Sequence, residues 1–182
     1  HLEKMNTDWF RLLFRNSFNM GQHVSFSGGG EKTNYYASVA CNEYKGAAKL
    51  DNLKEGSASV TMSSELSRKL KVGLNLSGSQ RGSTGYFGVN PLDYALSTSR
   101  TISAGLVYPV AFDILPGIAG EPLDYNFQNE ANQTGNQIKD TKLNVSVDLS
   151  YLLIRGLKLT SLAGGSVASL NSEQYATELS YN

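Results

Sequence analysis

Apolar and polar residues alternate over unusually long segments of this sequence, and this feature restricts the fold more than any other. Within 143–151, Leu, Val, Val, Leu and Tyr take every second position, and Asn, Ser, Asp and Ser lie between them. Successive side chains of a β-strand point to opposite faces, so the pattern predicts a strand with one apolar and one polar face. A tilted strand crossing a bilayer needs about 9–11 residues, whereas strands of soluble proteins are usually about five or six residues long.

The same period predicts six strands, preceded by one short helix. The helix is expected within 6–15, where a capping residue precedes apolar residues at helical spacing. The fold class is therefore all-β and antiparallel, with a long connection between the fourth and fifth strands. The predicted strands span 19–27, 33–42, 55–66, 70–79, 141–152 and 157–169.

Short and long connections alternate along the chain. Outer-membrane barrels have short periplasmic turns and long extracellular loops, so this alternation favours an antiparallel transmembrane β-barrel. A soluble β-sandwich also has alternating strands, but it has no reason to sort its loops by length onto one end. The short turns are expected at 28–32, 67–69 and 154–156, and the long connections at 43–54 and 80–140.

Three aromatic residues, Phe26, Tyr35 and Tyr151, lie within a few residues of short turns on the apolar faces of their strands. Aromatic side chains are enriched where membrane proteins meet the membrane–water interface. We therefore expect them to form a girdle at the periplasmic interface. Ordinary core aromatics are an equally compatible interpretation of three residues.

Six strands are too few to close a membrane barrel, because the smallest such barrels have about eight and an open edge leaves backbone groups unpaired in lipid. We therefore expect one partial barrel domain over 1–182, with the rest of the barrel outside these residues. Its expected parts are the end of an extracellular loop with the short helix (1–18), four strands (19–79), a long extracellular loop (80–140), two strands (141–170) and the start of the next loop (171–182).

Charge and residue chemistry argue against several classes of function. Lys plus Arg and Asp plus Glu are equal at 16 each, which disfavours nucleic acid as a partner. The histidines His1 and His23 have no metal-ligand spacing to any Cys or to each other, and Cys41 has no partner for a disulfide. The run at 28–33 lacks the Gly-Lys order of a phosphate-binding loop. No local catalytic signature is present, so we expect neither an enzyme nor a cofactor or metal.

The long connection at 80–140 is too aromatic for a flexible linker and is expected to be ordered. Aromatic rings interleaved with Asp and Asn are suited to stacking on sugars or peptide groups while hydrogen-bonding their polar edges. The alternative is that the rings only pack the connection onto neighbouring loops or a partner protein. The candidate ligand or partner contacts are Tyr86, Phe87, Asp93, Tyr94, Tyr108, Asp124 and Tyr125.

Several runs of this sequence, in their order and spacing, resemble the barrel of SusC/RagA-type TonB-dependent transporters of Bacteroidetes. The hairpin that includes Gly28 and Ser38 is the most characteristic part of the resemblance. The runs are Asn-Thr-Asp-Trp-Phe at 6–10, Phe-Arg-Asn-Ser-Phe at 14–18, His-Val-Ser-Phe-Ser-Gly-Gly at 23–29, Glu-Lys-Thr-Asn-Tyr-Tyr-Ala-Ser at 31–38 and Lys-Val-Gly-Leu-Asn at 71–75.

The resemblance implies an early portion of a barrel of about 22 strands in the bacterial outer membrane. It further implies a plug domain outside this chain, coupling to TonB through that plug, a SusD-like surface lipoprotein as partner, and outer-membrane lipid around the wall. The implied function is import of a nutrient, either oligosaccharide or peptide, without covalent chemistry. By the same resemblance, the side chains expected to face the lumen or plug are Lys71, Asn75, Asn144, Asp148 and Lys158.

Two other functions are compatible with the residues alone. One is an outer-membrane or secreted adhesion or structural protein that binds a partner through its aromatic loop. The other is a soluble β-sandwich binding module, which would bury the apolar faces of its strands. An upstream plug domain in the gene would distinguish transport from adhesion.

Overall fold

The structure is a computed structural model that describes residues 6–88, 90–101, 104, 127–178 and 180. It consists of six strands and three short helices within these ranges. In chain order the elements are α1 (Trp9–Leu13), β1 (Phe18–Gly29), β2 (Thr33–Lys45), β3 (Asn52–Glu65), β4 (Leu70–Gly85), α2 (Pro91–Ser97), α3 (Phe127–Gln133), β5 (Thr134–Ile154) and β6 (Leu157–Ala176).

All six strands form one sheet in the order β1-β2-β3-β4-β5-β6, and every neighbouring pair is antiparallel. Each strand therefore pairs with the strand that precedes it in sequence, which is the up-and-down connectivity of a barrel wall. The predicted all-β antiparallel class is confirmed, and the arrangement is consistent with a segment of a barrel. The short helix predicted near the beginning of the chain is α1, capped by the Asp8 side chain, which accepts a hydrogen bond from the Arg11 amide.

The strands are longer than predicted at the ends that carry the long connections. β4 continues to Gly85 and β5 begins at Thr134, so the long connection spans 86–133 instead of 80–140. The segments 80–85 and 134–140 are mostly polar on both faces, so they carry no alternation of apolar and polar residues. Their backbones pair with each other all the same. Similarly, β6 continues to Ala176, into the segment predicted as a loop.

One face of the sheet carries exposed apolar side chains across all six strands, and we call these residues the apolar band. The register aligns them from strand to strand; Leu74, for example, lies between Met62 of β3 and Val147 of β5. Phe26, Tyr35 and Tyr151 belong to this face, as predicted. The apolar band comprises Val24, Phe26, Tyr35, Val39, Val60, Met62, Leu74, Leu76, Leu143, Val145, Leu149, Tyr151, Leu159 and Val167.

The buried apolar residues of the described chain lie outside the strands. Five of them form a cluster at the end of the sheet with the long connections, and we call it the loop cluster: Trp9, Leu13, Tyr94, Ala95 and Phe127. The helices α1, α2 and α3 supply these side chains. A soluble sandwich would bury the apolar face of the sheet, whereas here the core holds the connections together.

Candidate functional site

The second face of the sheet, which we call the polar face, is lined by small hydroxyl and amide side chains. One row crosses all six strands in register. Within it, the hydroxyls of Ser38 and Ser59 are 2.8 Å apart, and the Asn144 amide donates to the Ser77 hydroxyl over 3.4 Å. Small side chains leave this wall open to close approach by another molecule or domain. The row consists of Ser25, Ser38, Ser59, Ser77, Asn144 and Ser166.

The five residues predicted to face the lumen all lie on this polar face by the strand register. Asn75 lies opposite Ser146 and donates to its hydroxyl over 3.5 Å. Lys71 forms an ion pair with Glu65 beside the short β3–β4 turn. The structure thus brings together Lys71, Asn75, Asn144, Asp148 and Lys158 on one face. Their orientation toward a lumen stays a prediction.

Sequence reasoning missed a ladder of alternating charge on the polar face, formed by Glu55, Arg81, Asp140 and Lys142. The Arg81 Nε is 3.3 Å from a Glu55 carboxylate oxygen, and the Lys142 ammonium is 3.0 Å from Asp140. Arg81 and Asp140 lie directly opposite each other on β4 and β5. Arg81 and Asp140 lie at the two ends of the segment 80–140 predicted as loop, and Glu55 and Lys142 lie just outside the predicted loops, so the sequence pattern predicts no pairing there. A cavity of about 300 Å³ adjoins Arg81 and Asp140, with Ser83, Ile138 and Leu170 completing its lining.

Two candidate ligand contacts of the long connection, Tyr86 and Tyr94, pack against the aromatic rings of the loop cluster. Tyr94 is buried, edge-on to Trp9 with ring centroids 5.2 Å apart, and its ring is 5.1 Å from Phe127. Tyr86 lies against Phe127 at 5.2 Å.

Two further candidates, Asp93 and Phe87, form hydrogen bonds within the described chain, Asp93 through its side chain and Phe87 through its backbone. Asp93, in the first turn of α2, accepts a hydrogen bond from the Asn90 amide at 2.8 Å. The Phe87 carbonyl accepts from the Thr134 hydroxyl at 3.1 Å. Tyr108, Asp124 and Tyr125 lie outside the described residues, and a ligand role for any of the seven stays a prediction.

Arg15 ties the chain before β1 to the connection between β2 and β3. Its guanidinium donates to the Gly46 and Asp51 carbonyls at 3.0 and 3.1 Å and to the Asn52 side chain at 2.7 Å. Burial raises the pKa of the Asp51 carboxyl, and the charge of Arg15 opposes that rise. Burial is also the main cause that raises the pKa of the nearby Tyr86 phenol.

The described ranges contain neither a candidate metal site nor a candidate membrane-spanning helix. No group of three or more His, Cys, Asp or Glu side chains that could hold a metal ion occurs there. Within the same ranges, none of the helices has the length and apolar character required to span a bilayer.

Solved structures of a peptide transporter share the architecture of this sheet. Neither a protein-family model nor a curated protein matches the chain. The structure of the RagAB peptide transporter superposes with a TM-score of 0.70 at 24% identity over 93% of this chain. The sheet has the same fold as a segment of the RagAB chains. The RagAB importer in its closed-closed state gives a TM-score of 0.72 at 24% identity over 94% of this chain, and its open-open state gives 0.69 at 26% over 93%.

The match to RagAB covers almost all of this chain but only a small part of the transporter. The chain spans about 20% of the length of the RagAB chains that it matches. The RagAB fold confirms the resemblance to SusC/RagA-type transporters indicated by the sequence. The activity, cargo and partners of the whole protein are taken up as proposals below.

The raised pKa of Asp51 predicts a pH dependence for the β2–β3 connection. A group whose pKa is raised on folding contributes its stabilisation below its unfolded pKa, near 3.9 for Asp, and loses it as the pH rises through the folded pKa. We therefore expect Asp51→Asn to stabilise this connection and slow its hydrogen exchange at neutral pH, and to leave the exchange rate unchanged in acid. Hydrogen exchange of the Gly46 amide, which donates to the Asp51 carbonyl at 2.8 Å, reports the effect.

The matched control for this prediction is Glu31→Gln, which lies in the short turn at the other end of β1 and β2. In Glu31→Gln, the hydrogen exchange rate of the Gly46 amide should equal that of the wild type at every pH. Faster exchange of Gly46 in Asp51→Asn at neutral pH would show that the ionised carboxylate stabilises the connection.

Proposed function

We propose that the chain forms part of the wall of an outer-membrane β-barrel importer in bacteria. The apolar band is the observation that carries this proposal. Exposed apolar side chains continue across six antiparallel strands, and water would strongly disfavour such a surface, whereas lipid accommodates it. β5, with 21 residues, is about twice the length that a tilted strand needs to cross a bilayer. Its polar remainder would then extend beyond the membrane.

With the apolar band toward lipid, the polar face lines the interior of the barrel. Lys71, Asn75, Asn144, Asp148 and Lys158 then face the lumen or a plug domain, and the small serines of the central row allow that domain to approach closely. Import coupled to TonB through the plug requires no covalent chemistry on the cargo. A SusD-like surface lipoprotein would close over the end with the long connections, where the loop cluster lies.

The polar face favours peptide over oligosaccharide as the cargo. Alternating charges at Glu55, Arg81, Asp140 and Lys142 suit the amino and carboxylate groups of peptides. Sugar-binding sites depend more on aromatic rings. In the described strands the polar face has two aromatic residues, Tyr36 and Tyr44, and both lie on β2, so this face offers few rings for stacking on a sugar. The RagAB structures of the same fold are of a peptide importer.

An uptake experiment with the full-length protein in its native cells tests this proposal. Cells that carry the gene should import labelled short peptides, and deletion of the gene should abolish this import. A protonophore should stop import but leave surface binding intact, because the proton-motive force drives TonB. Labelled oligosaccharides of similar mass provide the cargo comparison.

Three outcomes of this experiment would count against the proposal. Import that continues in the presence of the protonophore would contradict TonB coupling. Import of the oligosaccharide instead of the peptide would contradict the cargo class. Loss of attachment to a surface or partner on deletion, with uptake unchanged, would favour the adhesion function instead.

A further inference from the structure

A groove of about 570 Å³ lies on the same side of the sheet as the apolar band. It begins where the band ends, toward the long connections. Most of the residues that line it are of polar type, although the side chain of Met20 also contributes. Side chains directed to this side by the strand register include Gln22, Cys41, Glu43, Lys54, Gln80 and Lys139.

Two lysines face each other across this groove with a glycine between them. In the register, Gly82 of β4 pairs with Lys54 of β3 on one side and with Lys139 of β5 on the other. Neighbouring strands are about 4.8 Å apart, so the backbones of the two lysines are separated by about 10 Å. This spacing allows both ammonium groups to contact one phosphate placed over Gly82.

Both lysines are available to a ligand. The Lys54 side chain is 74% exposed, and its ammonium is 3.6 Å from the Glu43 carboxylate. Lys139 is exposed, and no ion pair joins it to another part of the described chain. Because an exposed ion pair is weak, the Lys54 ammonium can exchange the Glu43 carboxylate for a phosphate group of higher charge.

The floor of the groove is open because it is made of glycine. A Cβ atom added at Gly56 or Gly82 would meet no atom within 4 Å. Glycine in the interior of a strand weakens the strand and often marks a place where a ligand or another backbone approaches closely. Packing within the sheet accounts for neither glycine, and an occupant of the groove would account for both.

We propose that this groove binds the anionic headgroup of a phosphorylated glycolipid in the outer leaflet of the membrane. The proposal rests on the proposed function, because it requires the apolar band to lie in lipid. The acyl chains would then lie along the band, and the headgroup would reach the groove directly beyond it. Lys54 and Lys139 would bind a phosphate, while the amides of Gln22 and Gln80 would donate to and accept from sugar hydroxyls.

A second protein fits the groove less well than a lipid. Interfaces between proteins are depleted in lysine at their centres and enriched in aromatic residues and arginine. Here lysines flank the centre, and the lining contains no aromatic ring within the described residues. The apolar band next to it continues across all six strands, a surface suited to acyl chains.

Binding of purified lipid A to the full-length protein in detergent tests the proposal. The double variant Lys54→Gln/Lys139→Gln should bind bisphosphorylated lipid A about 25-fold more weakly, since each lysine near an anionic membrane surface contributes about fivefold. The variant Gly82→Leu, which keeps both charges but fills the floor, should also weaken binding. The matched control Lys32→Gln/Lys69→Gln, in the short turns at the opposite end, should bind like the wild type.

Further measurements distinguish a lipid headgroup from free phosphate as the bound anion. They also distinguish failure of the lipid site from failure of the importer function. Dephosphorylated lipid A should bind weakly to every variant, and millimolar inorganic phosphate should not displace bisphosphorylated lipid A. Unchanged binding in the double variant, an equal loss in the control, or complete displacement by phosphate would each overturn the lipid site. Peptide uptake should persist in the double variant, so failure of the lipid site is distinguishable from failure of the importer function.

Discussion

Replacement of Leu74 by arginine should destabilise the full-length protein by about 2–4 kcal/mol, the cost of a basic residue on the lipid face at the middle of a barrel wall. Leu74 lies on β4 in the apolar band, between Met62 and Val147 in the register. A guanidinium there would lose its hydration without gaining a partner, because both flanking side chains are apolar. Urea unfolding of the protein in lipid vesicles, followed by the mobility shift of folded barrels on gels, measures the loss.

The adjacent Asn75→Arg is the matched control, since the same side chain then enters the polar face. Asn75 lies between Thr61 and Ser146, and an arginine there has hydroxyls and water beside it. We expect a change within about 1 kcal/mol at this site, by analogy with other substitutions away from apolar surroundings. Equal losses at the two positions would contradict the assignment of the two faces. A larger loss of stability in Asn75→Arg than in Leu74→Arg would show that the polar face, and not the apolar band, lies toward the lipid.

Long alternating segments made the strands predictable, and the segments that lack alternation explain what was missed. Positions 143–151 specify both a strand and its faces, because every second residue there is apolar. The segments 80–85 and 134–140 carry polar residues on both faces, so nothing local distinguishes them from a loop. They become strand through pairing with each other, as at Arg81 and Asp140. The charged ladder was therefore hidden together with the strand ends that form it.

The loop cluster was also beyond local sequence patterns. Its members Trp9, Tyr94 and Phe127 come from three separate parts of the chain. Each lies in a short helix, and neither α2 nor α3 was predicted. The number of rings predicts an ordered connection, but the identity of their contacts depends on long-range folding. Tyr94 contacts Trp9 of α1 and Phe127 of α3, and Tyr86 contacts Phe127.

The groove between Lys54 and Lys139 could not be predicted either, because two residues of its floor are glycines. Gly56 and Gly82 have no side chain and therefore add nothing to the pattern of apolar and polar residues. Only the register shows that Gly82 lies between Lys54 and Lys139. Sequence periodicity thus distinguishes the two faces of the sheet, whereas the sites on those faces follow from which residues of neighbouring strands lie side by side.

Substitution of Trp9 by alanine should release the loop cluster and leave the sheet intact. Trp9 is 2% exposed, its ring lies edge-on to Tyr94, and its indole N–H donates to the Ser99 carbonyl at 3.1 Å. Truncation of a buried tryptophan to alanine costs about 3–5 kcal/mol. Helices of five and seven residues, such as α1 and α2, are too short to be stable without tertiary packing. We therefore expect hydrogen exchange over α2 and α3 to accelerate by at least about a hundredfold, since each 1.4 kcal/mol is a factor of ten.

Phe10→Ala is the matched control for this prediction, because Phe10 is the next residue of the same helix but is 44% exposed and stacks on Phe14 outside the loop cluster. It should change exchange in α2 and α3 by less than about tenfold. In both variants the strands should keep their slow exchange and the protein its folded mobility on gels, because the strand pairing does not depend on the loop cluster. Unfolding of the strands in Trp9→Ala would show that the cluster is part of the cooperative core of the barrel. Exchange in α2 and α3 that matches the wild type would show that Trp9 does not hold the long connection in place.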